Sequence, residues 1–165
     1  MGREHDALNM ISSGFKSLLR TRDCVTLKER RPLSQQFERA TPDEQSATII
    51  TYAEIPQVQL APGAMSHIVA GNNMTLSIAY LQAGSLFPVH THEGIEQIML
   101  LLSGQLDAIL DGKLFRMKPG DLIRYPAGHE HGAQMLDVDC HIVDIFSPAR
   151  PEYVAKLRDA MEPAA

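Results

Sequence analysis

The chain has 165 residues, a length at which one core buries about two thirds of the unfolded surface, so a single barrel- or sandwich-sized domain is expected and a multidomain machine is not. With 44% hydrophobic and 21% charged residues, 11 Gly and 10 Pro, the composition is too apolar for intrinsic disorder and rich in chain reversals. A net charge of −5 without a long basic run excludes the footprint of a nucleic-acid binder, and the longest apolar run, Ile98 to Leu102, falls far short of the roughly 20 residues that span a bilayer.

In chain order, Ala7, Leu8, Ile11, Phe15, Leu18 and Leu19 recur every three or four residues, which predicts an amphipathic helix over residues 4 to 20, weakened by Gly14. This stretch lacks the continuous apolar segment of a secretory signal. Residues 21 to 45 are polar, carry Pro32 and Pro42, and read as a connector with at most a short helix near Leu33 to Arg39. Cys24 and Cys140 are far apart and without metal spacing, which suits free thiols in a reducing cytoplasm. The expected organisation is an N-terminal helical extension and connector over residues 1–46, followed by a β-barrel with a terminal helix over residues 47–165.

From Ala47 onward, short apolar or alternating runs are separated by turn residues, the pattern of an all-β sandwich or barrel. Strands are predicted over 47–53, 58–60, 65–70, 75–82, 97–102, 106–110, 113–117, 122–125, 132–136 and 141–146. Asp111-Gly112 is the strongest hairpin signal among the turns. Ile98 to Leu102 is apolar on both alternating faces, so its outer face needs cover, from the N-terminal helix or from a second subunit; a homodimer is expected. A last helix is predicted after Pro148, with Pro151 in its first turn and Tyr153, Val154, Leu157 and Met161 on one face.

Four of the seven histidines, His90, His92, His129 and His131, fall in two His-x-His pairs. Positions i and i+2 of an extended segment face one side, so His90 and His92, just after Pro88, can present two imidazoles together. Neutral imidazole suits Zn, Cu, Fe and Ni, and one ion needs further ligands from elsewhere in the chain. His141 alternates with Val143 and Ile145 and reads as a hydrogen-bonded strand histidine, while His5 and His67 have no visible partner.

The stretch from Gly84 through His90, His92, Glu96 and Gln97 to Gly104 resembles the first signature of the cupin superfamily. Gly120 through Pro126 and Gly128 to His131 resembles the second. The resemblance implies a double-stranded β-helix, or jelly-roll, barrel with one divalent transition metal (Zn, Ni, Fe, Mn or Cu) in its mouth. It implies His90, His92 and His131 as ligands, with His129 on the rim. Counting along the motif puts Gln97 where those signatures carry an acidic ligand, with Glu96 one residue off register. Three His and a Gln would leave the ion its full +2 charge, which favours an anionic substrate and Lewis-acid work.

The segment Asp144-Ile-Phe146-Ser147-Pro148-Ala-Arg150 extends the resemblance to small cupins that convert unsaturated uronates in pectin and alginate breakdown. The implied activity is metal-assisted isomerisation, ring-opening or lyase chemistry on a small oxygen-rich acid. Glu96, His129 or Tyr80 would relay the proton, and Arg124 and Tyr125 would line the barrel and hold the substrate. An Fe(II) dioxygenase and a non-catalytic binding module are the alternatives. Oxygen consumption would separate the first of these, and binding without conversion the second.

Overall fold

A computed structural model of the protein describes residues 37–162. The expected helix over residues 4 to 20, with His5, and Cys24 in the connector lie outside the described residues. The chain divides into two compact units, one ending at Ile49 and one running from Ile50.

In the first unit, α1 spans Pro42–Thr48. Its start is over-determined locally. Thr41 is the N-cap, its hydroxyl accepts from the Glu44 backbone N–H, the Glu44 carboxylate accepts in return from the Thr41 backbone N–H, and Pro42 occupies the first turn, where no N–H is needed. This corrects the strand predicted over 47–53. The capping box carries Ala47 and Thr48 into the helix, Ile49 and Ile50 are exposed, and Tyr52–Glu54 form a single 3-10 turn. Of the short helix expected near Leu33 to Arg39, residues 37–39 are described and are non-helical, and the rest lies outside the described residues.

The second unit is a jelly roll of ten strands. In order they are β1 (Gln57–Ala61), β2 (Ala64–Ala70), β3 (Thr75–Leu81), β4 (Leu86–His90), β5 (Glu96–Ser103), β6 (Leu106–Leu110), β7 (Lys113–Met117), β8 (Leu122–Tyr125), β9 (His131–Met135) and β10 (Cys140–Ser147). A six-stranded sheet runs β1-β2-β3-β10-β5-β8 and a four-stranded sheet β4-β9-β6-β7, with all pairings antiparallel. Nine strands follow the sequence reading within a residue or two. The tenth, β4, was expected only as an extended segment, because Pro88 breaks its pattern; β4 is a sheet edge, where a missing N–H costs no ladder bond.

Strand alternation decides what faces inward. Ala79 and Leu81 on β3, Met99 and Leu101 on β5, Leu106 and Ala108 on β6 and Ile142 on β10 are buried between the sheets. The β6–β7 hairpin closes on Asp111-Gly112 with φ of 48° and 72°, the pair of positive values a two-residue type I′ turn requires. After β10, α2 (Pro151–Met161) lies against β1 and β2. Its Tyr153 joins Val58, Ile68, Ile95 and Phe146 in a second buried cluster. No helix among the described residues is long and apolar enough to cross a membrane.

Candidate metal centre

The strands bring together residues far apart in sequence. His90 ends β4, His131 opens β9 and the two are direct cross-strand partners; His92 follows two residues after β4, and Gln97 is the second residue of β5. The imidazole atoms that His90, His92 and His131 can offer an ion lie within 4.8 Å of one another, with His92 and His131 buried. His90 and His131, with Gln97, line a cavity of about 420 Å³, counting its open mouth, whose apolar floor includes Ala79, Leu81 and Met99.

Each ring is oriented by its own neighbourhood. His90 Nδ1 donates to Pro88 O at 2.8 Å, His92 Nδ1 to Ile95 O at 3.0 Å and His131 Nδ1 to His129 O at 2.9 Å. A carbonyl can only accept, so each Nδ1 carries the proton and each Nε2 presents a lone pair. Burial, the largest cause, pushes His131 down to about 4 and lowers His90 as well, with the Arg150 and His92 charges acting in the same direction. Both rings are therefore neutral at pH 7.

The Gln97 amide completes the arrangement. Its Nε2 donates to Asp144 Oδ1 at 2.7 Å, which turns Oε1 toward His131 Nε2 at 3.1 Å and His92 Nε2 at 3.3 Å. All of these facing atoms are acceptors, so no proton lies between them, and His90 Nε2 is buried without a partner among the described residues. Such a convergence of lone pairs fits a cation. Donors sharing one ion at about 2.1 Å sit about 3.0–3.4 Å apart at adjacent positions, the spacing Gln97 Oε1 keeps from the two imidazoles. Three histidines could hold a metal here, and Gln97, not Glu96, stands beside them.

Around this cluster lie Tyr125, an expected substrate contact, and others, Asp144, Arg150 and Tyr153, to which the sequence reading gave no role. Asp144 on β10 is buried, and burial pushes its carboxyl up to about 7, against the downward pull of the Gln97 N–H and the Arg150 charge. Tyr125 is 1% exposed, stacks on the His131 ring at 4.6 Å and has a hydroxyl with no partner among the described residues. Burial, and then the Asp144 charge, hold that phenol well above its usual range. Arg150, nine-tenths buried, and Tyr153 also line the cavity. Ile142, Asp144 and Phe146 share one face of β10 and alternate with Val143 and Ile145, and that period-two pattern was the sequence signal for an inward face.

Three of the expected proton carriers and one expected substrate contact lie elsewhere. Glu96 and Arg124 are on the outer face of β5 and β8, paired at 2.5 Å, because they alternate with the inward Gln97 and Tyr125. Tyr80 sits on the outer face of β3, stacked on its cross-strand partner His141 at 4.2 Å. His129 is on an exposed turn beside the cavity, its Nδ1 2.7 Å from Asp111 Oδ2, and it does not line the cavity. His67, which had no partner visible in the sequence, is buried, with Nδ1 donating to Ile55 O at 2.7 Å. Tyr125 is the one expected substrate contact that faces the cluster.

The double-sheet barrel and the histidine cluster at its mouth define a jelly roll with a candidate metal site, and residues 77–146 match the family model described as Cupin domain. Over that stretch the chain carries a cupin domain. It is similar to KdgF from Halomonas sp., with a TM-score of 0.60 and 28% identity over 64% of this chain and 96% of that one. It is also similar to the pectin degradation protein KdgF of Dickeya dadantii, 22% identical over 61% of this chain and 93% of that protein. A third relative is the dimethylsulfoniopropionate lyase DddQ of Ruegeria pomeroyi, 30% identical over 41% of this chain; the match spans only 34% of that lyase.

Proposed function

We propose that the protein is a metal-dependent cupin enzyme that isomerises, ring-opens or eliminates from a small oxygen-rich carboxylic acid of the uronate kind without net redox change. One observation carries the reading: the buried Asp144 carboxyl lies one hydrogen bond from Gln97 and lines the same cavity as His90 and His131. A carboxyl placed at the reacting atoms can both take and give a proton. The likeness to proteins named for pectin degradation and for a lyase supports the same class.

His90, His92, Gln97 and His131 would hold a divalent ion, which supplies positive charge next to a substrate hydroxyl or carbonyl oxygen. Arg150 binds the substrate carboxylate through guanidinium N–H groups. Asp144 keeps Oδ1 on the Gln97 amide and moves the proton at Oδ2. The Tyr125 hydroxyl stays protonated and donates to a substrate oxygen. Tyr153, Phe87 and the apolar floor limit water around the reacting atoms.

The test combines elemental analysis with turnover on a panel of sugar acids. Gln97→Ala and His131→Ala are expected to lose metal and turnover while keeping the fold, and full activity after chelation would overturn the reading. Oxygen uptake during turnover would assign the site to the dioxygenase alternative instead. Binding of a sugar acid without conversion would point to a binding module.

A further inference from the structure

Arg150 has an unusual set of partners for a buried cation. Its backbone N–H donates to Thr75 Oγ1 at 2.9 Å, which pins the residue where the chain leaves β10 for α2. Its Nε donates to Glu152 Oε1 at 2.6 Å. Its guanidinium carbon lies 4.2 Å from the centre of the Tyr153 ring and 5.2 Å from that of Phe146, so the plane rests on one aromatic face and beside another. Neither Nη nitrogen has a hydrogen-bond partner among the described residues, and neither is among the fully buried atoms left without one. The open space that Arg150 borders is the cavity of the histidine cluster. The fork therefore has one edge engaged by Glu152 and the other available to a ligand.

We propose that Glu152 is a positioning residue for substrate selection: by engaging Arg150 Nε it fixes the guanidinium rotation, so that the Nη edge meets a carboxylate in one orientation. This rests on the reading of Arg150 as the carboxylate anchor. The helix supplies the geometry. Glu152 and Tyr153 are the second and third residues of the run that begins at Pro151, so the carboxylate and the ring that fix Arg150 are set by one helical turn.

The sign of the effect separates this role from a purely electrostatic one. Glu152 is negative and stands next to an anion site, so charge alone predicts that removing it strengthens anion binding. Positioning predicts the opposite, because a freed guanidinium must be ordered again when it binds. Glu152→Gln removes the charge and keeps an oxygen that accepts from Nε.

Calorimetry on the metal-loaded protein with D-glucuronate, and with D-glucose as its uncharged counterpart, reads this directly. The wild type is expected to prefer glucuronate. Glu152→Ala is expected to weaken glucuronate about 5- to 10-fold with no change for glucose, Glu152→Gln to bind glucuronate at least as well as wild type, and Arg150→Ala to erase the preference. Unchanged or tighter glucuronate binding by Glu152→Ala, with Arg150→Ala still erasing the preference, overturns the positioning role and leaves the carboxylate anchor standing. No preference for glucuronate in the wild type overturns both. Because the Glu152 side chain is half exposed, its replacement leaves no buried cavity to confuse the result with misfolding.

Discussion

Gln97 Nε2 donates to Asp144 Oδ1 at 2.7 Å, and that bond decides which end of the amide looks at the histidines. One side chain thus couples the candidate proton carrier to a candidate ligand. Asp144→Asn retains an oxygen that can accept the Gln97 N–H and removes only the ionisable group. Metal content is expected to stay at the wild-type level while turnover falls about 100-fold or more, as for loss of a general acid or base. Asp144→Ala frees the amide and is expected to weaken metal binding about 10- to 100-fold, measured by competition with a chelator.

In metal-free protein the two shifted groups act on stability with opposite signs. His131 is protonated near 6.5 when unfolded and only at about 4 when folded, so it costs stability as pH falls through that window. Asp144 keeps its proton up to about 7 when folded and releases it near 3.8 when unfolded, so it costs stability as pH rises from 3.8 to 7. Urea unfolding of the chelated wild type at pH 5 and pH 7 is expected to differ little on their account. Asp144→Asn should become less stable at pH 5 than at pH 7, and His131→Gln more stable. Parallel shifts of both variants would refute the assignment.

Metal uptake should release fewer protons than three ordinary imidazoles would. At pH 5.5, three groups of pKa near 6.5 would release close to three protons per ion, whereas His131 is already neutral there and His90 is shifted the same way. Calorimetry in buffers of different ionisation enthalpy is expected to give about two or fewer.

Gly104, at φ 91°, turns the chain between β5 and β6, and a Cβ there would stand 2.4 Å from Asp139 O and 2.8 Å from Cys140 Cα. Gly112 has a φ of 72° with nothing within 4 Å. Gly112→Ala is expected to cost about 1–2 kcal/mol from backbone strain alone, and Gly104→Ala more than about 3 kcal/mol, in urea unfolding. Equal costs at the two sites would contradict the close approach at Gly104.

The outer face of the six-stranded sheet carries Ile145, Leu102 and Leu122, which are 39%, 42% and 64% exposed on the adjacent strands β10, β5 and β8. We propose that a second copy of the chain covers it. Light scattering is expected to give a dimer at micromolar concentration, and Ile145→Asp a folded monomer; a monomeric wild type would defeat the proposal.

Much of this was legible in the sequence for a physical reason. Strand alternation and turn chemistry are local, so β6, β7 and β8 could be bounded to the residue, and the His-x-His spacings marked the cluster. The side chosen by a single residue was harder to read. Glu96 and Gln97 differ by one step in a period of two, and only the cross-strand register, Gln97 opposite Tyr125 and Phe146, turns the amide inward and the carboxylate outward. Tyr80 and Arg124 face outward for the same reason. At 47–53 an apolar run imitated a strand because the decisive signal, the Thr41–Glu44 capping box, lay upstream of it. Arg150 was visible only as part of a segment, since its importance depends on burial that no local pattern records.

The three Nδ1 bonds that hold the imidazoles run to carbonyls only two or three residues away in the chain, at Pro88, Ile95 and His129. Each imidazole thus carries its own bracket. Substitutions elsewhere in the barrel can change its lining without retuning the ring tautomers. The same short segments can then serve different substrates, with novelty confined to the residues that surround them.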